Sequence, residues 1–386
     1  MLRTAKGLSR QLLLSVLLAL QWPAAGQPLH RVVIRLAFDS LPETMQGPFF
    51  LAGTCNGWNP ADSASRFSAI DAGEPILTLW LKEGPLEFKI TRGSWKQVES
   101  AANGRAIANR QAQIRGDTVL RLRISGWADQ FTGSQPVHTR SSRVQILDSA
   151  FRIPQLNRTR RVWIYLPPDY HQSQKRYPVV YMQDGQNLFD DATSYSGEWG
   201  VDECLDTLGV SCIVVGVDHA GVRRMNEYAP FDMPQFGAGE GKQYAEFLVK
   251  VLKPYVDAHF RTRRAASSTF IAGSSMGGLI SAYVLASYPR VVGGAGIFSP
   301  AFWVNPGIYQ TLQAGQRHLR SPVFLYAGDA ESKSMVSDLQ KAASILGKRA
   351  SGNIRVQIEA GGRHSEASWR SVLPAFFDWI LRGEKN

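Results

Sequence analysis

Residues 268–279 read STFIAGSSMGGL. A β-branched, apolar run meets two serines, a methionine and two glycines, and "GGLISAYVLASY" continues with helical character. Strand, tight turn and helix follow one another. A phosphate loop needs GxxxxGK[ST], and this stretch has no lysine. A dinucleotide turn needs GxGxxG opening the first βα unit, but Ser275 stands two after Gly273 and the unit lies mid-chain. An ordinary glycine-rich turn would need no chemistry at all. A nucleophile elbow needs G-x-S-x-G, with small residues two before and two after the serine because the backbone is crowded there. Gly273-Ser274-Ser275-Met276-Gly277 meets that need with Ser275 at the centre. Centring on Ser274 would put Ala272 and Met276 at the flanks, and Met276 is too large. Ser275 is therefore the candidate nucleophile. The Met276 N–H, at the start of the helix, is a candidate oxyanion donor.

A serine needs a base at neutral pH, and in the elbow fold the chain order is serine, acid, histidine. Two histidines follow Ser275. His318 lies in the polar helical stretch "QTLQAGQRHLR", where a surface role suffices. His364 lies in "GGRHSEASW", a glycine loop between a strand and the last helix, and is the candidate base. The acid should follow the strand "PVFLYAG"; "GDAES" offers Asp329 and Glu331, which sequence geometry does not separate. Both would stand at the carboxyl end of a strand, where sites of open α/β sheets collect. The turn "DGQN" (184–187) should supply the second oxyanion donor, the Gln186 N–H.

Outward from the elbow, "RVWIYLP" (161–167), "YPVVYMQ" (177–183), "CIVVGVD" (212–218), "GGAGIFS" (293–299), "PVFLYAG" (322–328) and "IRVQIEA" (354–360) read as strands alternating with helices. This predicts a mostly parallel α/β sheet over residues 143–386. Residues 27–128 hold short strands about ten residues apart, separated by Gly, Pro, Asn and Asp, which predicts a small all-β sandwich. The polar stretch 129–142 reads as a linker. Residues 1–26 carry Arg3, Lys6 and Arg10, then "LLLSVLLAL", then small residues, the pattern of a secretory signal peptide. The expected location is periplasmic or secreted. No other segment is suited to span a membrane.

The formal net charge is +11, but Lys and Arg are scattered, so nucleic acid is not an expected partner. The densest spots, "RTRR" at 158–161 and again at 261–264, read as solvated edges of strands. Of the three cysteines, Cys204 and Cys212 are a candidate disulfide in an exported chain, and Cys55 would then be buried. No Cys/His spacing suggests zinc, and neither metal nor cofactor is expected.

"RYPVVYMQDGQNLFD", "EWGVDE", "GVDHAGVRRMNEYAP", "LKPYVDAHFRT", "IAGSSMGGLISAYVLASYP", "FSPAFW" and "GGRHSEASW" together resemble the putative-esterase (esterase D-like) family of α/β-hydrolases, over roughly residues 143–386. That group includes feruloyl and acetyl-xylan esterases, siderophore trilactone hydrolases and mycolyltransferases. The resemblance implies a metal-free serine esterase with Ser275 as nucleophile and His364 as base. The family's acid stands three residues after a strand-ending glycine, which from Gly328 is Glu331, with Asp329 as the alternative. The D-G-x turn maps Gln186 onto an oxyanion donor beside Met276. Trp199, Arg224 and Trp303 match positions near the family's site and are candidate substrate contacts; scaffold roles, including an Arg224–Glu227 ion pair, are the alternative. "FFLAGTCNGWNPAD" resembles glycogen-binding modules with an immunoglobulin-like fold, so weak carbohydrate binding by the N-terminal module is a further expectation, although Trp58 reads as core and Trp95 as either. The function implied is an exported serine esterase acting on a small-molecule or glycan ester. Transfer of the acyl group to a sugar hydroxyl, and glycan binding by a vestigial hydrolase, are the alternatives.

Overall fold

A computed structural model describes residues 28–38, 47–71, 73–102, 104, 106–107, 109–131, 138–195, 197–234, 236–315, 322–348 and 353–382. The expected signal peptide and His318 lie outside these residues. The chain divides into two compact units: one takes the described residues up to Gly93 with Arg110–Arg123, the other takes Ser94–Asn109 and Ile124 onward.

The main sheet of the larger unit has, among the described residues, eight strands: β1 (Val144–Ile153), β2 (Arg158–Tyr165), β3 (Val179–Gln183), β4 (Ile213–Val217), β5 (Thr269–Ser274), β6 (Gly294–Phe298), β7 (Val323–Gly328) and β8 (Ile354–Glu359). They form one sheet in the order β1-β2-β4-β3-β5-β6-β7-β8. β2 is antiparallel to both its neighbours; from β4 through β8 every pairing is parallel. This is the α/β-hydrolase sheet, and it is preceded in the chain by an all-β module.

The pleat explains the core. Along β3 and β4, Val179, Tyr181, Ile213 and Val215 face one apolar cluster, and Val180, Met182 and Val214 face the other. Such strands are buried on both faces, so they read as continuous apolar runs. Helices α3 (Gly241–Phe247), α4 (Lys253–His259), α5 (Met276–Ser287), α6 (Ile308–Ala314) and α7 (Met335–Gly347) cover the first face. Helices α1 (Val201–Leu208) and α8 (Glu366–Arg382) cover the second; a five-residue α2 (Arg224–Tyr228) lies beyond β4.

The smaller unit holds a four-stranded sheet, in the order Ala69–Asp71, Glu74–Lys82, Leu29–Phe38, Thr118–Ile124, and a three-stranded one, in the order Phe50–Gly53, Gly84–Thr91, Arg110–Ile114. The Asn56 side chain organises the turn after Phe50–Gly53: it accepts from Gly53 N and donates to Leu51 O, Asp62 and Ser65. Trp58 is half-buried and Trp95 is at the edge of exposure.

Four expectations change. The boundary departs from 27–128, because residues 94–109 and 124–128 belong with the larger unit, where Glu99–Ser100 pairs with Gly126–Trp127. The end of the expected linker is anchored: the Thr139 hydroxyl donates to Glu198, Ser141 N to Asp202, and Arg143 Nε to Asp206. "RTRR" 158–161 is not a loose solvated edge. Arg158 and Arg160 grip buried Glu227, Arg158 also holds Glu240, and Arg161 pairs with Asp218. In the second "RTRR", Arg261, Arg263 and Arg264 each donate to a backbone carbonyl. Finally, all three cysteines are free thiols, and Cys55 is exposed rather than buried. Burial pushes the Cys204 thiol up to about 12, which keeps it protonated at neutral pH.

Candidate active site

Ser275 stands between β5 and α5 with φ 56° and ψ −119°. A non-glycine residue held there carries roughly 1–3 kcal/mol of strain, which the surroundings must sustain. They do: Ser275 N donates to Phe298 O on β6 at 2.9 Å, and Ser275 O accepts from Leu279 N and Ala301 N, both at 3.0 Å. Its hydroxyl does not cap the helix. Of the flanking glycines, Gly273 is sterically required and Gly277 sits in a tight space. A Cβ on Gly273 would come within 2.8 Å of Gln183 Cγ and of the Gly277 backbone, and one on Gly277 within 3.0 Å of Gln183 Cβ and 3.1 Å of Asp184 Oδ2.

Two loops later the chain brings Glu331 and His364 together, Oε2 to Nδ1 at 2.7 Å. The Glu331 side chain is 1% exposed and that of His364 25%. A buried carboxylate needs its remaining lone pairs satisfied. Here Oε1 accepts from Gly328 N at 2.7 Å and from the Ser299 hydroxyl at 2.6 Å. Ser299 in turn accepts from Trp369 Nε1 at 2.9 Å, and the Trp369 ring meets the His364 ring edge-on with centroids 5.0 Å apart. Asp329 is exposed and accepts from Gly361 N, closing its own loop. Ser299 and Trp369 are site residues that sequence reasoning missed. Ser299 lies in the quoted "FSPAFW", but its left-handed backbone (φ 43°) and its bridging hydroxyl depend on tertiary placement.

Gln186 lies in the tight turn Gly185–Asn187 that follows β3. Gly185 lets this turn settle onto β4: a Cβ there would meet Gly216 C and Val217 N at 2.8 Å. The Gln186 side chain accepts from His219 N. Before the turn, Asp184 is left-handed (φ 57°) and buried, with its carboxylate held by Arg224 through Nε–Oδ1 at 2.7 Å and Nη2–Oδ2 at 2.8 Å. Burial alone would push this carboxyl up, but the Arg224 charge and hydrogen bonds leave it below its ordinary value. Arg224 therefore pairs with Asp184, not with Glu227. Burial pushes His219 down and Glu366 up; both carry electrostatic interactions with Asp184 and Arg224.

The candidate substrate contacts separate. Trp303 is 60% exposed, on the short turn Phe302–Val304 just after Ala301. Trp199 is 3% exposed and packs against Phe298 and Trp369 at centroid distances of 5.3 and 5.6 Å. It supports the Trp369 side of the site from within the apolar cluster, so the expectation of a direct substrate contact does not fit its placement.

A family model described as "Putative esterase" matches residues 153–379. The chain belongs to that family. It is accordingly a carboxylic ester hydrolase. Similar proteins include the uncharacterized protein YbbA of Bacillus subtilis, 26% identical over 185 residues, which are 46% of this chain and 71% of that one. The endo-1,4-beta-xylanase/feruloyl esterase of Xylanibacter ruminicola is 23% identical over 216 residues, 54% of this chain and 28% of that longer protein. Among solved structures, the enterochelin esterase of Shigella flexneri superposes with a TM-score of 0.53 at 14% identity, covering 95% of each chain. At that identity the likeness concerns the fold alone.

Proposed function

We propose that this putative-esterase member is an exported serine esterase that works through an acyl-enzyme on Ser275. In this reading Ser275 Oγ attacks the ester carbonyl carbon while His364 takes its proton. Glu331 fixes the imidazole through Nδ1–H and supports the imidazolium that forms. The backbone N–H groups of Met276 and Gln186 stabilise the tetrahedral oxyanion, helped by the N-terminus of α5. Collapse expels the alkoxide, which receives the proton from His364. Water then attacks the acyl-enzyme by the same route in reverse, freeing the acid and Ser275.

The observation that carries the reading is the 2.7 Å contact between His364 and a fully satisfied, buried Glu331. It favours Glu331 over Asp329 as the acid. Export rests on the basic start and short apolar run of residues 1–26. The substrate class proposed is a carbohydrate-linked or siderophore-type ester; the feruloyl esterase named in the Xylanibacter relative supports the first.

The test is hydrolysis of a chromogenic short-chain ester. Ser275→Ala should abolish turnover while the circular dichroism spectrum stays that of the parent, and unchanged turnover would overturn the mechanism. A panel of feruloylated and acetylated saccharides and catecholate trilactones, run with an added glycan acceptor, assigns the substrate and separates hydrolysis from transfer.

A further inference from the structure

We propose that Arg224 is a positioning residue of the oxyanion hole, acting through Asp184, and not a substrate contact. The inference rests on the Met276/Gln186 oxyanion reading above. Those two donors belong to different turns: Gln186 to the turn after β3, Met276 to the elbow after β5. A hole made from two turns works only if their separation is held to a fraction of an ångström.

One guanidinium connects both turns. Its Nε and Nη2 grip the two oxygens of Asp184, the residue just before the Gly185–Asn187 turn. Its Nη2 also reaches the carbonyl of Ser274, the residue just before Ser275, at 3.4 Å. The same carboxylate lies close to the elbow, since a Cβ at Gly277 would stand 3.1 Å from Asp184 Oδ2. Tyr228, one turn along α2, accepts a hydrogen bond from Asp184 N at 3.3 Å, and the Arg224 guanidinium lies 5.3 Å from its ring centroid. Asp184 itself is in the left-handed region, so its placement depends on these partners. A planar fork that binds a carboxylate at two points and retains a further N–H is a property of arginine that lysine does not share.

The functional consequence is specific. Were Arg224 to bind the substrate directly, replacing it would raise KM. A misplaced oxyanion donor lowers kcat and leaves ground-state binding nearly intact.

The experiment is steady-state kinetics on a chromogenic ester for Arg224→Gln, Arg224→Lys, Asp184→Asn and the Asp184→Asn/Arg224→Gln double variant, with fluorophosphonate labelling rates measured in parallel. Arg224→Gln should lower kcat about a hundredfold. Arg224→Lys, which keeps the charge but loses the fork, should lower it roughly tenfold with KM within about threefold of the parent. The double variant should recover part of the Arg224→Gln loss, because the unpaired buried carboxylate is gone. Labelling should slow in step with kcat, since the phosphyl oxygen occupies the same hole. Raised KM at parental kcat in Arg224→Lys overturns the proposal, as does additive loss across the cycle. If Arg224→Gln does not fold, Arg224→Lys and Asp184→Asn decide alone. Failure of the parent protein to label at Ser275 would instead sink the oxyanion reading itself.

Discussion

Asp329 and Glu331 stand two residues apart after the same strand, and their surroundings distinguish them. Glu331 is buried, accepts two hydrogen bonds on one oxygen and holds His364 with the other; Asp329 is exposed and closes a local turn. With Glu331 as the acid, Glu331→Gln lowers kcat by roughly three to four orders of magnitude, because an amide cannot hold the imidazole in the right tautomer or support its charge. Asp329→Asn leaves kcat near the parent value; comparable losses in the two variants would contradict the assignment. The strand–turn–helix around Ser275 was legible in the sequence because its glycine spacing is steric: a Cβ at Gly273 would collide with the Gly277 backbone, and one at Gly277 would be tight. Which carboxylate meets His364 was less legible, since two carboxylates after one strand look alike until their partners are known. Trp199 and Arg224 show the same limit. Position in a motif does not reveal that one ring is buried or that the guanidinium turns toward Asp184 rather than Glu227.

At the scale of elements, β7 and the loop after β8 must meet closely enough for Glu331 to reach His364. Two glycines make this possible. A Cβ on Gly328 would fall 2.1 Å from Gly362 O, with backbone on both sides and no side chain to yield. Gly328→Ala is thus expected to destabilise the protein by about 1–3 kcal/mol, by overpacking, and to lower kcat as the acid and base loops separate. Urea unfolding measured beside the kinetics checks this; unchanged stability would show that the loops adapt. The central strands were readable from continuous apolar runs. The edge strand β1 was not: "VQILDSAFRI" mixes Asp, Ser and Arg among its apolar residues, most of it is solvent-facing, and its pairing with β2 slips register twice. An edge strand with one partner needs less apolar content, so its signal is weak.

Across the larger unit, crowded carboxyls shape the response to pH. Glu203 on α1 occupies an exposed position, and partial desolvation together with the neighbouring carboxylates of Asp202 and Glu198 raises it to about 7. A carboxyl raised in the folded state favours the protonated form there. Its stabilising contribution is present below the unfolded value near 4.3 and is lost as pH rises through about 7. The thermal midpoint of the protein is therefore expected to fall between about pH 5 and pH 8, and Glu203→Gln to flatten that decline. Differential scanning calorimetry across the range tests it, and an identical slope in the variant would exclude Glu203 as the source. The alternation of strands and helices made the α/β unit legible at this scale. The unit boundary was not, because the 94–109 segment returns to the larger unit through long-range pairing that no local pattern announces.

In the proposed mechanism Ser275, and not its neighbour Ser274, carries the covalent intermediate. Reaction with a fluorophosphonate followed by peptide mass mapping tests it directly. One adduct is expected, on Ser275, retained in Ser274→Ala and absent from Ser275→Ala. An adduct on Ser274, or ester hydrolysis that persists in a protein the reagent does not modify, would contradict it.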